Sequence, residues 1–228
     1  MSEITSLLAK AAKKQATTHS KELKQLPYDP WAFVTECVYT MDEHAFAEGV
    51  EPVKRFPNKA YLREAVYYWA NNDRTRWEKS RQLMVTWLMA ALHLHAVLIA
   101  RGIRVAWQSK KFEDANSMLR DRLWFIYEHI PPIYRVPRAR CVNGAIEVFH
   151  DKGTRVPTSQ IVAAAQGEDQ LRQYTFTRIV SDEFAFQEQQ DLSYAAMRPT
   201  VDGGGCLTII STSNGENFFW ELGHKDLA

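Results

Sequence analysis

The sequence predicts an α/β fold built on a mainly parallel central sheet with helices on both faces, and three observations predict it. The chain has 228 residues with 46% hydrophobic content, enough to bury a full core in one large domain, with or without appendages. From about residue 75 onward, short β-branched or apolar runs alternate with longer apolar segments, the pattern of strands joined by helical crossovers. One run, Thr177-Arg178-Ile179-Val180-Ser181, stops abruptly at the adjacent carboxylates Asp182 and Glu183. A buried parallel strand delivers acids in this way to the rim of a sheet, where ligands bind outside the strand carboxyl ends.

The elements follow in order. Residues 1–26 carry Lys10, Lys13, Lys14, Lys21 and Lys24 against Glu3 and Glu22, a basic N-terminal segment that is at most a weak amphipathic helix. It is read as a solvated end, with a DNA or partner contact as the second reading. Residues 27–228 form the main domain. Asp29-Pro30-Trp31 opens a helix with Asp29 as N-cap and Pro30 at the first helical position. A short strand at 76–79 precedes a loop and a long apolar helix over 86–101, closed by Gly102. Strand 104–108 comes next, then a helix over 113–129 ended by Pro131-Pro132. Residues 145–165 read as a β-hairpin region turning at Asp151-Lys152-Gly153. Strand 178–181, a helical segment near 192–197 and strand 206–211 complete the series, with no internal repeat.

Composition narrows the function classes. A formal net charge of +1 means that any nucleic-acid contact comes from local patches, not from a global field. Cys37, Cys141 and Cys206 are odd in number and widely spaced, so they read as buried thiols in a reducing compartment, not as a disulfide framework or zinc pairs. The N-terminus lacks the apolar region and cleavage site of a signal peptide. The longest apolar run, 87–100, is interrupted by His93 and His95 and is too short to span a bilayer. A soluble intracellular protein is expected.

Asp182 and Glu183 admit two readings. In a phosphohydrolase the first acid holds Mg²⁺, often through water, while the second polarises the attacking water. The competing reading is a strand that stops where solvent begins, its acids capping the next helix. The first reading calls for a phosphate loop between an earlier strand and a helix. The pattern G-x-x-x-x-G-K-[ST] is absent, since none of the 10 glycines precedes Lys-Ser or Lys-Thr, and Gly203-Gly204-Gly205 reads as a turn. The right position is filled by Lys79-Ser80-Arg81-Gln82-Leu83-Met84-Val85-Thr86-Trp87. Lys79 supplies a mobile ammonium, Arg81 a planar donor fork, and Thr86 a hydroxyl at the helix N-terminus. Backbone N–H groups at Val85, Thr86 and Trp87 point at an anion there if the helix starts where expected. Surface charges and a simple helix cap are the alternative.

These residues resemble the variant phosphate loop of the large terminase subunits of tailed bacteriophages, the DNA-packaging ATPases. The resemblance continues in order. Residues 104–109 with Ala115 are similar to the family's second strand and helix, and 146–148 with 161–164 to its pre-catalytic hairpin. Ile179-Val180-Ser181-Asp182-Glu183-Phe184-Ala185-Phe186 resembles its Walker B strand with the catalytic glutamate. Ile210-Ser211-Thr212-Ser213-Asn214-Gly215 resembles its coupling motif. The match runs from about residue 30 to 220. Two positions depart from the pattern: Met84 stands where the family usually keeps glycine, and Val85 fills the conventional lysine slot beside Thr86.

The resemblance implies a P-loop NTPase of the additional-strand, catalytic-glutamate type, with ATP and Mg²⁺ as cofactors. In that frame Lys79 neutralises the β- and γ-phosphates, Arg81 is a second phosphate contact or γ-phosphate sensor, and Ser80, Gln82 and Val85 complete the loop. Thr86 and Asp182 hold the metal, and Glu183 orients and deprotonates water. Thr212 and Asn214 sense the γ-phosphate or are a plain polar strand end. Arg172 matches an arginine that enters a neighbouring subunit's site in ring-shaped terminases, or is a surface residue pairing with Glu168 or Asp169. The implied function is ATP hydrolysis driving double-stranded DNA into a viral capsid. The implied partners are double-stranded DNA, the portal protein, the small terminase subunit and further copies of the chain in a ring, pentameric by resemblance. The implied place is the host cytoplasm and, transiently, the procapsid portal vertex. The family's nuclease domain finds no counterpart in residues 27–228. A helicase-like ATPase, and a nucleotide-binding assembly module without hydrolysis, are the alternatives.

Other residues are placed more loosely. Phe56-Pro57 lies against adenine or supplies a core aromatic. Lys110-Lys111 and the Arg135, Arg138 and Arg140 cluster are DNA phosphate contacts if they line one surface, and solvated loops otherwise. His93 and His95, two apart on a helix, face different ways, so no zinc site is assigned.

Overall fold

The computed structural model describes residues 23–42, 45, 49–80, 83–167, 171 and 175–224. A seven-stranded sheet in the order β4-β11-β10-β5-β9-β8-β7 organises them. Its members are β4 (Arg74–Glu78), β5 (Arg104–Ser109), β7 (Arg138–Val142), β8 (Ala145–Phe149), β9 (Ser159–Ala165), β10 (Arg178–Ser181) and β11 (Cys206–Ser211). The five strands from β4 to β9 run parallel, while β8 and β7 join antiparallel at one edge. Both the parallel core and the hairpin expected over 145–165 are present, and β11 lies between the loop-bearing strand β4 and the acid-bearing strand β10.

Strand alternation splits the core into two layers. On β5, Val105 and Trp107 face one side and Ala106 the other; on β10, Val180 and Ile179 divide likewise, as do Ile210 and Ile209 on β11. Over the first face lie α1 (Pro30–Cys37), α2 (Ala60–Ala70), α3 (Val85–Ile99) and the segments from α4 (Phe112–Met118) to α5 (Phe125–Glu128). Met197 of α6 (Gln190–Asp202) and Phe219 of α7 (Phe218–His224) cover the second. Helices on both faces were the expectation.

The start of α1 is as its sequence reads: Asp29 Oδ1 accepts from the Ala32 N–H at 2.7 Å, and Pro30 occupies the first turn. Helix α3 is buried at every position from Trp87 to Leu98, so its polar residues lie inside the protein. Leu88, Leu92 and Leu94 are fully buried, and each such side chain contributes roughly 2 kcal/mol. The His93 ring packs edge-on to Trp69 and Trp107, whereas His95 stacks on Phe33 and meets the Pro27 carbonyl at 2.8 Å. The two rings have different partners, as their spacing predicts.

Several details differ from the expectation. The helix placed over 113–129 is three segments, because a π-helical turn at Leu119–Trp124 separates α4 from α5. The edge strand β7 pairs with β8 across Asn143-Gly144, with Gly144 at φ +78°, a value that disfavours side chains. A small antiparallel pair, β2 (Tyr39–Met41) with β3 (Val53–Arg55), and the helix α2 precede the main sheet. A parallel pair of two-residue strands, β1 (Lys24–Gln25) and β6 (Tyr134–Arg135), closes the far side. Phe56 is 4% exposed and belongs to the core, leaving Pro57 as the residue of that dipeptide on a cavity wall.

Candidate active site

The site forms where parallel strands end. Lys79 follows β4, and its N–H donates to the Ser211 carbonyl at the end of β11 at 2.9 Å. Asp182 follows β10, and its N–H donates to the Gln108 carbonyl of β5 at 2.9 Å. Both residues therefore leave the sheet at its carboxyl edge and reach one cavity of about 760 Å³. Lys79, Ser80, Leu83, Met84, Val85, Thr86, Asp182 and Glu183 all line it. Of the sequence-predicted site residues, the structure brings together Lys79, Ser80, Val85, Thr86, Asp182 and Glu183. Arg81, Gln82 and Arg172 lie outside the described residues, as does the segment 1–22.

The loop turns without its usual glycine. Met84 adopts φ 60° and ψ 4°, the left-handed conformation, and caps α3 with no side-chain hydrogen bond. A side chain there costs about 1–2 kcal/mol of backbone strain. The turn leaves the first N–H groups of α3 without a capping side chain, and the positive end of a buried helix faces the cavity.

The two acids have different environments. Asp182 is 4% exposed, and burial pushes its carboxyl up to about 6, against the pull of Lys79, the Glu183 N–H and Arg122. Its Oδ1 accepts from the Glu183 N–H at 3.0 Å. Glu183 is exposed between buried neighbours and sits at φ 50°, the second non-glycine residue in the left-handed region among those described. That turn carries the Glu183 side chain out of the strand line and onto the cavity wall while Phe184 returns to the core.

The turn is fastened from behind. The Ala185 carbonyl accepts from the side-chain amides of Asn214 at 3.0 Å, Asn217 at 3.0 Å and Gln190 at 3.1 Å, and its N–H donates to Ser211 Oγ at 3.1 Å. Asn214 thus joins the loop after β11 to the Glu183 turn. Neither Asn214 nor Thr212 lines the cavity.

Residues that the sequence did not reveal complete the cavity. Thr40, Met41, Asp42, Lys54 and Arg55 come from β2 and β3 and the turn beside them, and Met118 and Arg122 from α4 and the π-helical turn. The two strands are three residues each, too short for periodicity to register.

The donor set fits a nucleotide with a hard divalent cation. A hydroxyl from Thr86 and a carboxylate from Asp182 are oxygen ligands of the kind Mg²⁺ takes while keeping most of its water. The cavity has the size of small-ligand sites. Among the described residues no three His, Cys, Asp or Glu side chains cluster as a separate metal site.

Comparison with solved structures agrees with this topology. The ATPase domain of the Thermus phage P74-26 large terminase superposes with a TM-score of 0.56 at 17% identity, covering 80% of this chain and 74% of that one. The HK97 bacteriophage large terminase gives 0.58 at 13% identity, covering 87% of this chain and 41% of that one. The large terminase of a thermophilic bacteriophage, in complex with ADP, gives 0.50 at 13% identity over 68% of this chain and 39% of that one. The fold is that of a large terminase ATPase domain. With β11 inserted between β4 and β10, it is a P-loop NTPase fold of the additional-strand type. The chain spans about two fifths of the HK97 protein and of the ADP-bound terminase. No family model and no curated protein matches it in sequence.

The candidate DNA contacts separate into two places. Lys110 Nζ lies 3.5 Å from Glu188. Arg138 and Arg140 share one face of β7, Arg138 over the Phe149 ring and Arg140 paired with Glu147. Arg135, Arg138 and Lys152 line a second cavity of about 660 Å³, beside Leu98 and Ile99 at the other end of α3 from Thr86.

Proposed function

We propose that this chain is a Mg²⁺-dependent ATPase, the motor domain of a large terminase that drives double-stranded DNA into a viral capsid. The observation that carries the reading is the convergence of the Lys79–Thr86 turn and the Asp182-Glu183 pair on one cavity, from strands separated by β11. Bound Mg²⁺ supplies charge neutralisation on the phosphate chain. Lys79 adds an ammonium to the same end of the cavity, in place of the lysine that Val85 displaces. The N-terminus of α3 contributes its unpaired N–H groups, with Ser80 and Val85 in the turn. Thr86 and Asp182 would hold the cation, the one with a hydroxyl and the other with a carboxylate. Glu183, exposed on the cavity wall, takes a proton from the attacking water. Arg81 and Gln82 belong to the phosphate loop in this reading. Arg172 supplies a positive charge to the site of a neighbouring copy.

The same reading assigns the partners. Double-stranded DNA is held through its phosphates by the basic residues Arg135, Arg138 and Lys152, the portal protein and the small terminase subunit are the docking partners, and copies of the chain form a ring, pentameric as in the family it resembles. The working place is the host cytoplasm and the portal vertex; among the described residues no helix is long and apolar enough to cross a membrane. The Asn214–Ala185 contact supports a coupling role for the loop after β11, because movement of one end displaces the Glu183 turn.

Steady-state ATP hydrolysis with Mg²⁺, by the wild-type chain and by Lys79→Ala over a range of protein concentrations, tests the reading. The expected result is turnover that rises faster than linearly with protein and falls at least ~100-fold in Lys79→Ala. Equal turnover by the two proteins would remove Lys79 from the site.

A further inference from the structure

The cavity contains a cation that no motif announces. Arg122 lies in the π-helical turn, four residues after Met118, and both side chains line the nucleotide cavity. The apolar residues of the same stretch, Ala115, Leu119, Leu123 and Ile126, face the core. A π-helical turn adds a residue to one coil and rotates the residues after it. Such turns mark functional sites more often than ordinary helix does. Here Leu119 and Leu123 are buried while Met118 and Arg122 reach the cavity.

The guanidinium is held in place by stacking. Its central carbon is 4.7 Å from the ring centroid of Trp87, the residue after Thr86 in the first turn of α3. Trp87 is 8% exposed and edge-on to Phe125 at 5.8 Å, so the platform itself is fixed. A guanidinium resting on an aromatic face directs its N–H donors in its own plane, away from the ring. Planar donor pairs of this kind recognise phosphate oxygens. Arg122 and Asp182 line the same cavity. Arg122, the N-terminus of α3 and the acid pair thus border one cavity, where the proposed site holds its phosphate chain.

We propose that Arg122 is a direct contact of the phosphate chain, a specificity residue by which the site prefers nucleoside di- and triphosphates to monophosphates. This rests on the nucleotide-site reading above. An arginine whose work is only to pack on Trp87 would not distinguish ligands by phosphate number.

Equilibrium binding of ATP, ADP and AMP with Mg²⁺ to the 228-residue chain, by calorimetry and by displacement of a fluorescent ADP analogue, tests it. The variants are Arg122→Gln, which keeps much of the stem over Trp87, Arg122→Lys and Lys79→Ala. Arg122→Gln is expected to weaken ATP and ADP by about 10–100-fold and AMP by less than about 3-fold, with Arg122→Lys recovering part of the loss. Unchanged ATP binding in Arg122→Gln, with Lys79→Ala impaired, overturns this proposal and leaves the nucleotide site standing. An equal loss for all three ligands also overturns it, by showing a packing role. Absence of ATP binding in the wild-type chain overturns both readings.

Discussion

His93 gives the buried face of α3 a pH signature that can be worked out from its surroundings. The ring is fully buried, and its Nδ1–H donates to the Met89 carbonyl at 2.8 Å, the tautomer being assigned from that contact. Nε2 has no hydrogen-bond partner. Protonation would place an N–H there without an acceptor, between Trp69 and Trp107 and near the Arg178 charge. Burial, with Arg178 adding to it, lowers the imidazole from 6.5 to about 3. A depressed folded-state value means that the unfolded chain takes up the proton first as pH falls. The stability tied to neutral His93 is complete above about pH 6.5 and is lost progressively between there and about pH 3. At ~1.36 kcal/mol per pH unit, the loss between pH 7 and pH 4.5 comes to about 3 kcal/mol. His93→Met, near in volume and without a titrating group, removes this term; the contribution of buried His95 remains in both proteins. Urea unfolding at the two pH values measures the difference. The wild type is expected to lose about 3 kcal/mol more than His93→Met over this interval. Parallel losses in the two proteins would show that His93 is not buried and neutral between Trp69 and Trp107 as described.

Two further predictions concern backbone geometry. Met84→Gly is expected to be more stable than Met84→Ala by about 1 kcal/mol, the reverse of the usual order, because only glycine relieves the left-handed turn at φ 60°; a denaturation midpoint for Ala at or above that of Gly would refute the conformation. Gly205→Ala is expected to lower stability by about 2 kcal/mol and the melting temperature by ~4–8 °C, because its Cβ would lie 2.7 Å from the Thr177 and Thr200 carbonyl oxygens; an unchanged melting curve would refute the close approach.

The parallel core was legible in the sequence because its strands are short apolar runs with sharp ends. Residues 104–108, 178–181 and 206–211 match β5, β10 and β11 to within a residue. The acid pair was legible for the same reason: a strand register fixes where the next side chain emerges. Strand β7 was hidden by its basic residues, Arg138 and Arg140, which read as a charge cluster although the Asn143-Gly144 turn signal stood beside them. Arg122 had no signal at all. It stands in the charged run Arg120-Asp121-Arg122, and nothing in that run marks one residue as the one that reaches the cavity. The cavity wall formed by Thr40, Met41 and Pro57 depends on a pair of three-residue strands, a tertiary fact with no local pattern. Phe56 shows the other limit, since an aromatic beside a cavity-lining residue turns into the core.

The most direct test of the central claim separates binding from turnover at Glu183. The measurement is Mg²⁺-ATP affinity, together with the nucleotide retained after rapid gel filtration, for the wild-type chain and Glu183→Gln. The account predicts that Glu183→Gln binds ATP within about 3-fold of wild type, loses ~10²–10⁴-fold in hydrolysis, and retains ATP where wild type retains ADP. Hydrolysis by Glu183→Gln at the wild-type rate would contradict the account, because the exposed carboxylate at the end of β10 would then not be the group that activates water.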